Sequence, residues 1–141
     1  MSFIRVPAGA IVLTASMALA ASSARASNVD VNVPFSFIVS AKALPPGTYH
    51  VSVDAQQGKM LVRGLTDGVF VITNHLSVPD TAEPKLVFHR YGEEYVLREV
   101  WTGDGLENQL PEPRREKELV QSARDAGGSG SPSEVVVIAA D

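Results

Sequence analysis

The side chains with the widest chemical repertoire in this 141-residue chain are three histidines, His50, His75 and His89, and the acids Glu93, Glu94, Glu99, Asp104 and Glu107. A metal site would need the histidines to converge with a carboxylate. Their spacing offers no i,i+2 or i,i+4 pair. His50 falls on the strand face opposite Tyr49, and His75 falls in a loop, so no metal and no cofactor is expected. His89 differs. A hairpin closing on Tyr91-Gly92 sets Glu94 opposite it, and a neighbouring carboxylate raises an imidazole's pKa. That pair reads first as a structural cross-strand contact. Two carboxylates facing each other across a cleft can hydrolyse a glycoside, and Glu94, Glu99 and Asp104 are the residues such an enzyme would use. Charges beside turns are usually solvated, so hydrolysis ranks second to a non-catalytic reading. The sequence has no Gly-x-Ser-x-Gly elbow and no P-loop. It has no cysteine, which excludes a thiolate metal site, a disulfide framework and a cysteine nucleophile.

Binding is the other chemistry on offer. Tyr91, Tyr95 and Trp101 could form an aromatic platform for a ligand, although hairpin aromatics more often belong to the core. Arg114 and Arg115 lie in a mixed-charge run whose plain reading is a solvated helix face. Their functional alternative is to dock on acids of the sheet and latch the helix across a barrel end. His89, Tyr91, Glu94, Tyr95, Trp101, Arg114 and Arg115 are therefore the candidate ligand or partner surface. The net charge of −4 argues against a nucleic-acid partner.

The elements that must position these residues alternate with period two, the signature of half-buried strands. Apolar residues occupy every odd position from Val29 to Val39, and Pro34 places that strand at an edge or at a bulge. Leu44-Pro45-Pro46-Gly47-Thr48-Tyr49 is a turn of type II composition. Tyr49, Val51 and Val53 continue a second strand, and Met60-Leu61-Val62-Arg63 form a third. Asp67-Gly68 signals a hairpin. Val69-Phe70-Val71-Ile72-Thr73 reads as a central strand buried on both faces. Residues 74–84 read as the longest loop, and Thr102–Gly105 as another. The run 86–90 pairs with 94–101. Closing on Tyr91-Gly92 matches Phe88 with Tyr95 and Leu86 with Leu97; closing on Gly92-Glu93 matches His89 with Val96 and Leu86 with Glu99. The first register is preferred because it sets apolar against apolar, although it also puts Lys85 opposite Arg98.

A short helix is expected near residues 113–122, with Pro113 as its first residue, then a flexible linker over 125–133. The run 134–140 carries the strongest β propensity in the chain and is expected to return to its own sheet as a terminal strand. Turn signals recur about every 8–12 residues. The expectation is an all-β protein with one short late helix, an antiparallel sandwich or barrel of about seven strands, forming one domain over residues 27–141.

Residues 1–26 read as a cleaved signal peptide. Arg5 supplies the positive end, Ala10 to Ala21 the apolar run, and Ala24-Arg25-Ala26 the small-x-small cleavage site. The apolar run is too short for a span, which needs about 20 residues, so no membrane span is expected after cleavage.

Val33-Pro34-Phe35-Ser36-Phe37, Leu44 to Tyr49, Lys85 to Gly92, Tyr95 to Trp101, and Leu110-Pro111 followed by Arg114-Arg115-Glu116 together resemble a group of small exported bacterial β-rich proteins of unknown function. The group often has Ser at the position of Pro113, which changes the helix cap. The resemblance implies secretion and a β-rich domain, and it implies no activity. The functional expectation is an exported, non-enzymatic binding or structural module of the bacterial periplasm or extracellular space, with an envelope protein or polysaccharide as partner. The alternatives are a carboxylate hydrolase acting on envelope carbohydrate and a subunit that completes a partner's sheet by strand addition.

Overall fold

The computed structural model describes residues 26–79 and 81–141. The export segment read over residues 1–26 lies outside these apart from Ala26. The protein is all-β with one helix, its sheets curled into a half-barrel.

Alternation builds the first strand and proline ends it. In β1 (Ala26–Val33), Val29, Val31 and Val33 are buried between exposed polar neighbours. Pro34 brings no N–H to a ladder, and the odd-numbered apolar face resumes in β2 (Phe37–Val39), where Phe37 and Val39 are buried. The single strand expected over 29–39 is thus two strands serving two sheets. β2 turns into β3 (Lys42–Leu44) through Ser40, which has φ 55. β4 (Gly47–Asp54) pairs along its whole length with β1. Asp54 Oδ1 accepts the N–H groups of Gln56 and Gln57, and Gly58 at φ 64 turns the chain into β5 (Lys59–Arg63). A loop over residues 64–67, closed by the Gly64 N–H to the Asp67 carbonyl at 2.7 Å, leads to β6 (Gly68–Ile72).

The first sheet runs β1-β4-β5-β6. The second comprises β7 (Asn74–Ser77), β8 (Lys85–Tyr91), β9 (Glu94–Trp101), β10 (Leu106–Gln109) and β11 (Glu134–Ala139) in the order β11-β8-β9-β10-β7, with β2 beside β9. Phe37, Val51, Met60, Leu86, Phe88 and Leu97 fill the space between the sheets. The remaining element is α1 (Arg114–Asp125). Among the described residues, no helix is long and apolar enough to cross a membrane.

Four expectations are corrected. The strand count among the described residues is eleven: the first strand divides, β3 is separate, and β7 and β10 pair with each other inside segments read as loop or left unassigned. The run 69–73 is an edge strand, with Phe70 and Ile72 about three-quarters exposed. Pro113 precedes the helix instead of opening it, with ψ 159, and its carbonyl accepts the Lys117 N–H; the helix then continues to Asp125. The hairpin closes on Gly92-Glu93, with Gly92 at φ 64, so Arg90 faces Tyr95 and His89 faces Val96. A register shift between Val87 and Phe88 leaves Arg98 unpaired in β9 and restores apolar matching beyond it, with Leu86 against Val100 and Lys85 against Trp101. This bulge removes the Leu86–Glu99 mismatch that had counted against this register, and the Lys85–Arg98 clash of the other register does not arise.

The terminal strand pairs with β8 of its own chain, from Glu134 on Arg90 to Ala139 on Lys85. Val136, Ile138 and Ala140 pack on the core, while Val135 and Val137 face outward. Asp141 then exchanges both backbone hydrogen bonds with Asp30, at 3.0 and 2.9 Å, which ties the two sheets together. The linker is fixed at its far end, where Ser133 gives both its N–H and its hydroxyl to the Arg90 carbonyl. Deleting residues 134–141 therefore strips β8 of one of its two partners and opens an apolar edge. The expected outcome is a lower denaturation midpoint and concentration-dependent light scattering. An unchanged midpoint in a monodisperse sample would contradict the pairing.

Candidate functional site

The bulge at Arg98 is what builds the site. Up to Leu97 the side chains of β9 alternate between the core and the outer face of the sheet. Beyond the unpaired residue the alternation is reset, so Arg98 and Glu99 both point outward, while Val100 returns to the core. On β8, His89 and Tyr91 share that outer face. Helix α1 lies across it, and Val96 beneath is fully buried without belonging to the inter-sheet core.

One side chain plugs the helix into the sheet. Glu116, 2% exposed, is the only buried residue of α1. Its Oε2 accepts Arg98 Nη1 at 2.6 Å; its Oε1 accepts the Tyr91 hydroxyl at 2.9 Å and lies 3.2 Å from His89 Nδ1. A buried carboxylate is tolerable only with such partners. Burial and then the bond to Glu116 push the Tyr91 phenol well above its usual range, which fixes it as a donor. Nearer the surface, Arg115 grips Glu94 as a fork, with Nη2 to Oε1 at 2.7 Å and Nε to Oε2 at 3.1 Å, and also reaches Glu118. The arginine that latches onto an acid of the sheet is thus Arg115. Arg114 is 94% exposed at its side chain and only 3.8 Å from Glu118.

The remaining candidates have separate roles. The His89–Glu94 pair does not form, because the register places Tyr91 opposite Glu94. Tyr95 stacks on Phe35 with ring centroids 3.8 Å apart, under the Arg90 guanidinium. Trp101 lies beneath the Lys85 ammonium at 4.2 Å. Tyr91, Tyr95 and Trp101 each have their own neighbours and do not form one platform. Asp104 is held by the hydroxyls of Ser27 and Thr102; burial pushes its pKa up, and these bonds outweigh that and hold it below the usual value. His50 pairs with Asp30 at 2.6 Å. Among the described residues no group of three His, Cys, Asp or Glu side chains could hold a metal ion.

The roles of two residues were not read from sequence. Glu116 had a signal: with Leu119, Val120 and Ala123 it follows the i, i+3, i+4, i+7 spacing of a single helix face. Glu107 had none. It is 8% exposed on β10, opposite Trp101, and its carboxyl meets that of Glu99 diagonally across the two strands. Burial, then the hydrogen bond and charge of Glu107, raise Glu99 to about 7, against the opposing influence of Trp101 and Lys85. The folded protein thus keeps a proton that the unfolded chain releases near its usual 4.5. This contribution to stability is complete below that value and is lost as pH rises through about 7. Denaturation midpoints should fall over this window, and Glu99→Gln should flatten the slope. Identical slopes for the two proteins would contradict the pairing.

A cleft of 290 Å³ between the hairpin and the helix is lined by Tyr91, Leu119, Ala123 and the serines 122, 131 and 133. A second cleft, beside the helix start, is bordered by Arg114 and Arg115. Comparison of the chain with family models, with characterised proteins and with solved structures finds no match.

Proposed function

We propose that the protein is an exported, non-enzymatic binding or structural module of the bacterial periplasm or extracellular space. The observation that carries this reading is the use made of the reactive groups at the hairpin. His89, Tyr91 and Arg98 are all spent on Glu116, and Glu94 is spent on Arg115. Each of these side chains holds an element in place, and none is left aimed at a cleft as a free base or nucleophile. The signal-peptide layout of residues 1–26 supports export, and the resemblance to small exported proteins supports it independently. An envelope protein or polysaccharide is the partner class, with the Tyr91 cleft as its contact, since aromatic and hydroxyl linings suit sugar or peptide surfaces.

One observation favours the alternative of a carboxylate hydrolase. Glu99 and Glu107 adjoin, and Glu99 holds its proton to about pH 7, as a general acid must. Two measurements separate the readings. Intact mass of protein recovered from the periplasm or medium should start at Ser27, and incubation with envelope polysaccharide should release no reducing ends. A membrane-embedded species retaining Met1 would overturn export. Reducing ends released by the wild type and abolished by Glu99→Gln, with the fold retained, would overturn the non-enzymatic reading.

A further inference from the structure

β6 is an open edge built to accept a strand. Its ladder with β5 fixes which backbone groups are used. The Thr73 N–H bonds the Gly58 carbonyl and the Gly64 N–H bonds the Asp67 carbonyl, so the hydrogen-bonded pairs of this ladder involve odd-numbered residues of the β6 segment. The N–H and C=O groups of Gly68, Phe70 and Ile72 therefore point away from β5. Among the described residues no hydrogen bond reaches them. The strand carries no proline and no charge, the usual means of blunting an edge. Its outward side chains are Phe70, 76% exposed, and Ile72, 74% exposed, with Leu65 fully exposed in the adjoining turn.

We infer that β6 pairs antiparallel with β6 of a second copy of this chain about a two-fold axis at Phe70. The free groups themselves select this register. Setting Phe70 opposite its own copy, and Gly68 opposite Ile72, pairs every outward N–H and C=O of the strand on both chains. A slip by two residues leaves some of them unpaired. The side chains agree. Phe70 and Ile72 of each copy meet on one face, with Leu61 beside Phe70 on β5. The pairing fuses the two first sheets into one. The contact is isologous and closes at two chains, so it makes a dimer without growing into a fibre. It is independent of the export proposal and of the helix latch.

Sedimentation velocity on the purified protein, over a range of concentrations, combined with residue-level amide exchange, tests this. The wild type is expected to sediment at twice the chain mass, with Phe70 and Ile72 amides as protected as those of Val69 and Val71. Phe70→Lys, a change on an exposed side chain, is expected to leave the monomer folded, with an unchanged circular dichroism spectrum, and raise the dimer dissociation constant by about tenfold or more. Three results would overturn the inference: a monomer at every concentration; fast exchange at Phe70 and Ile72 beside slow exchange at Val69 and Val71; or a dimer indifferent to Phe70→Lys.

Discussion

Replacing Phe88 by alanine is expected to cost about 3–5 kcal/mol of folding stability, the range for truncating a fully buried phenylalanine. Phe88 has no exposed surface. It lies edge-on to Phe35, with centroids 5.0 Å apart at 85°, and to Phe37, at 5.4 Å and 79°. These rings come from the segment that crosses from one sheet to the other, so the alanine leaves a cavity where β2, β8 and β9 meet. The surroundings have little freedom to collapse, because Leu97 opposite and Leu86 beside are themselves fully buried. Val137→Ala serves as the comparison: this side chain is on the neighbouring strand and 53% exposed. Urea melts of both variants check the expectation. Equal and small losses would mean that the wrong face of β8 has been placed inside.

Glu116→Ala is expected to be comparably severe, at about 3–5 kcal/mol, because it removes the counter-charge of a largely buried arginine. Arg98 would keep its charge under the helix with no acceptor, and the Tyr91 hydroxyl and His89 ring would lose theirs. Glu116→Gln retains a carbonyl for two of these donors and should cost less. Adding Arg98→Leu to Glu116→Ala should recover part of the loss, since an apolar pair of similar shape leaves no stranded charge. The effect should be local as well as global. Helix α1 buries no apolar side chain completely, and a helix of its length is marginal alone, so its docking depends on this carboxylate and on the Arg115–Glu94 fork.

β1 and β4 were legible from their apolar alternation and bury the face that it selects, and β5, β8 and β9 were legible as strands from their apolar runs. The terminal strand was legible too, because its branched side chains demand a partner. β7 and β10 were not. Asn74–Ser77 and Leu106–Gln109 each contain a single large apolar residue, and they are strands because they pair with each other and β10 also pairs with β9. Asn108 is fully buried, with its amide on the Val100 carbonyl, an arrangement set by tertiary contact alone. The hairpin register was misjudged because simple pairing rules do not contain bulges. Arg98 drops out of the ladder, and from there apolar residues match in the register that had looked worse. The edge position of β6 was missed for a related reason: Val-Phe-Val-Ile has the same composition whether a sheet covers it or not. At the site, the latch was read from Arg114 and Arg115, but its centre is Glu116. A glutamate on the apolar face of a helix is uncommon, and the arginine that claims it is aimed there by the unforeseen bulge.

The most direct test of the central claim, that the polar groups at the hairpin hold the helix and are not reserved for chemistry, is amide hydrogen exchange across α1 in the wild type and in Glu116→Gln. The expected result is slow exchange over the middle of residues 114–125 in the wild type. In the variant those amides should exchange markedly faster while the β8 and β9 amides stay protected. Unchanged helix protection in Glu116→Gln would contradict the latch and return His89, Tyr91 and Arg98 to the residues available for a ligand or a reaction.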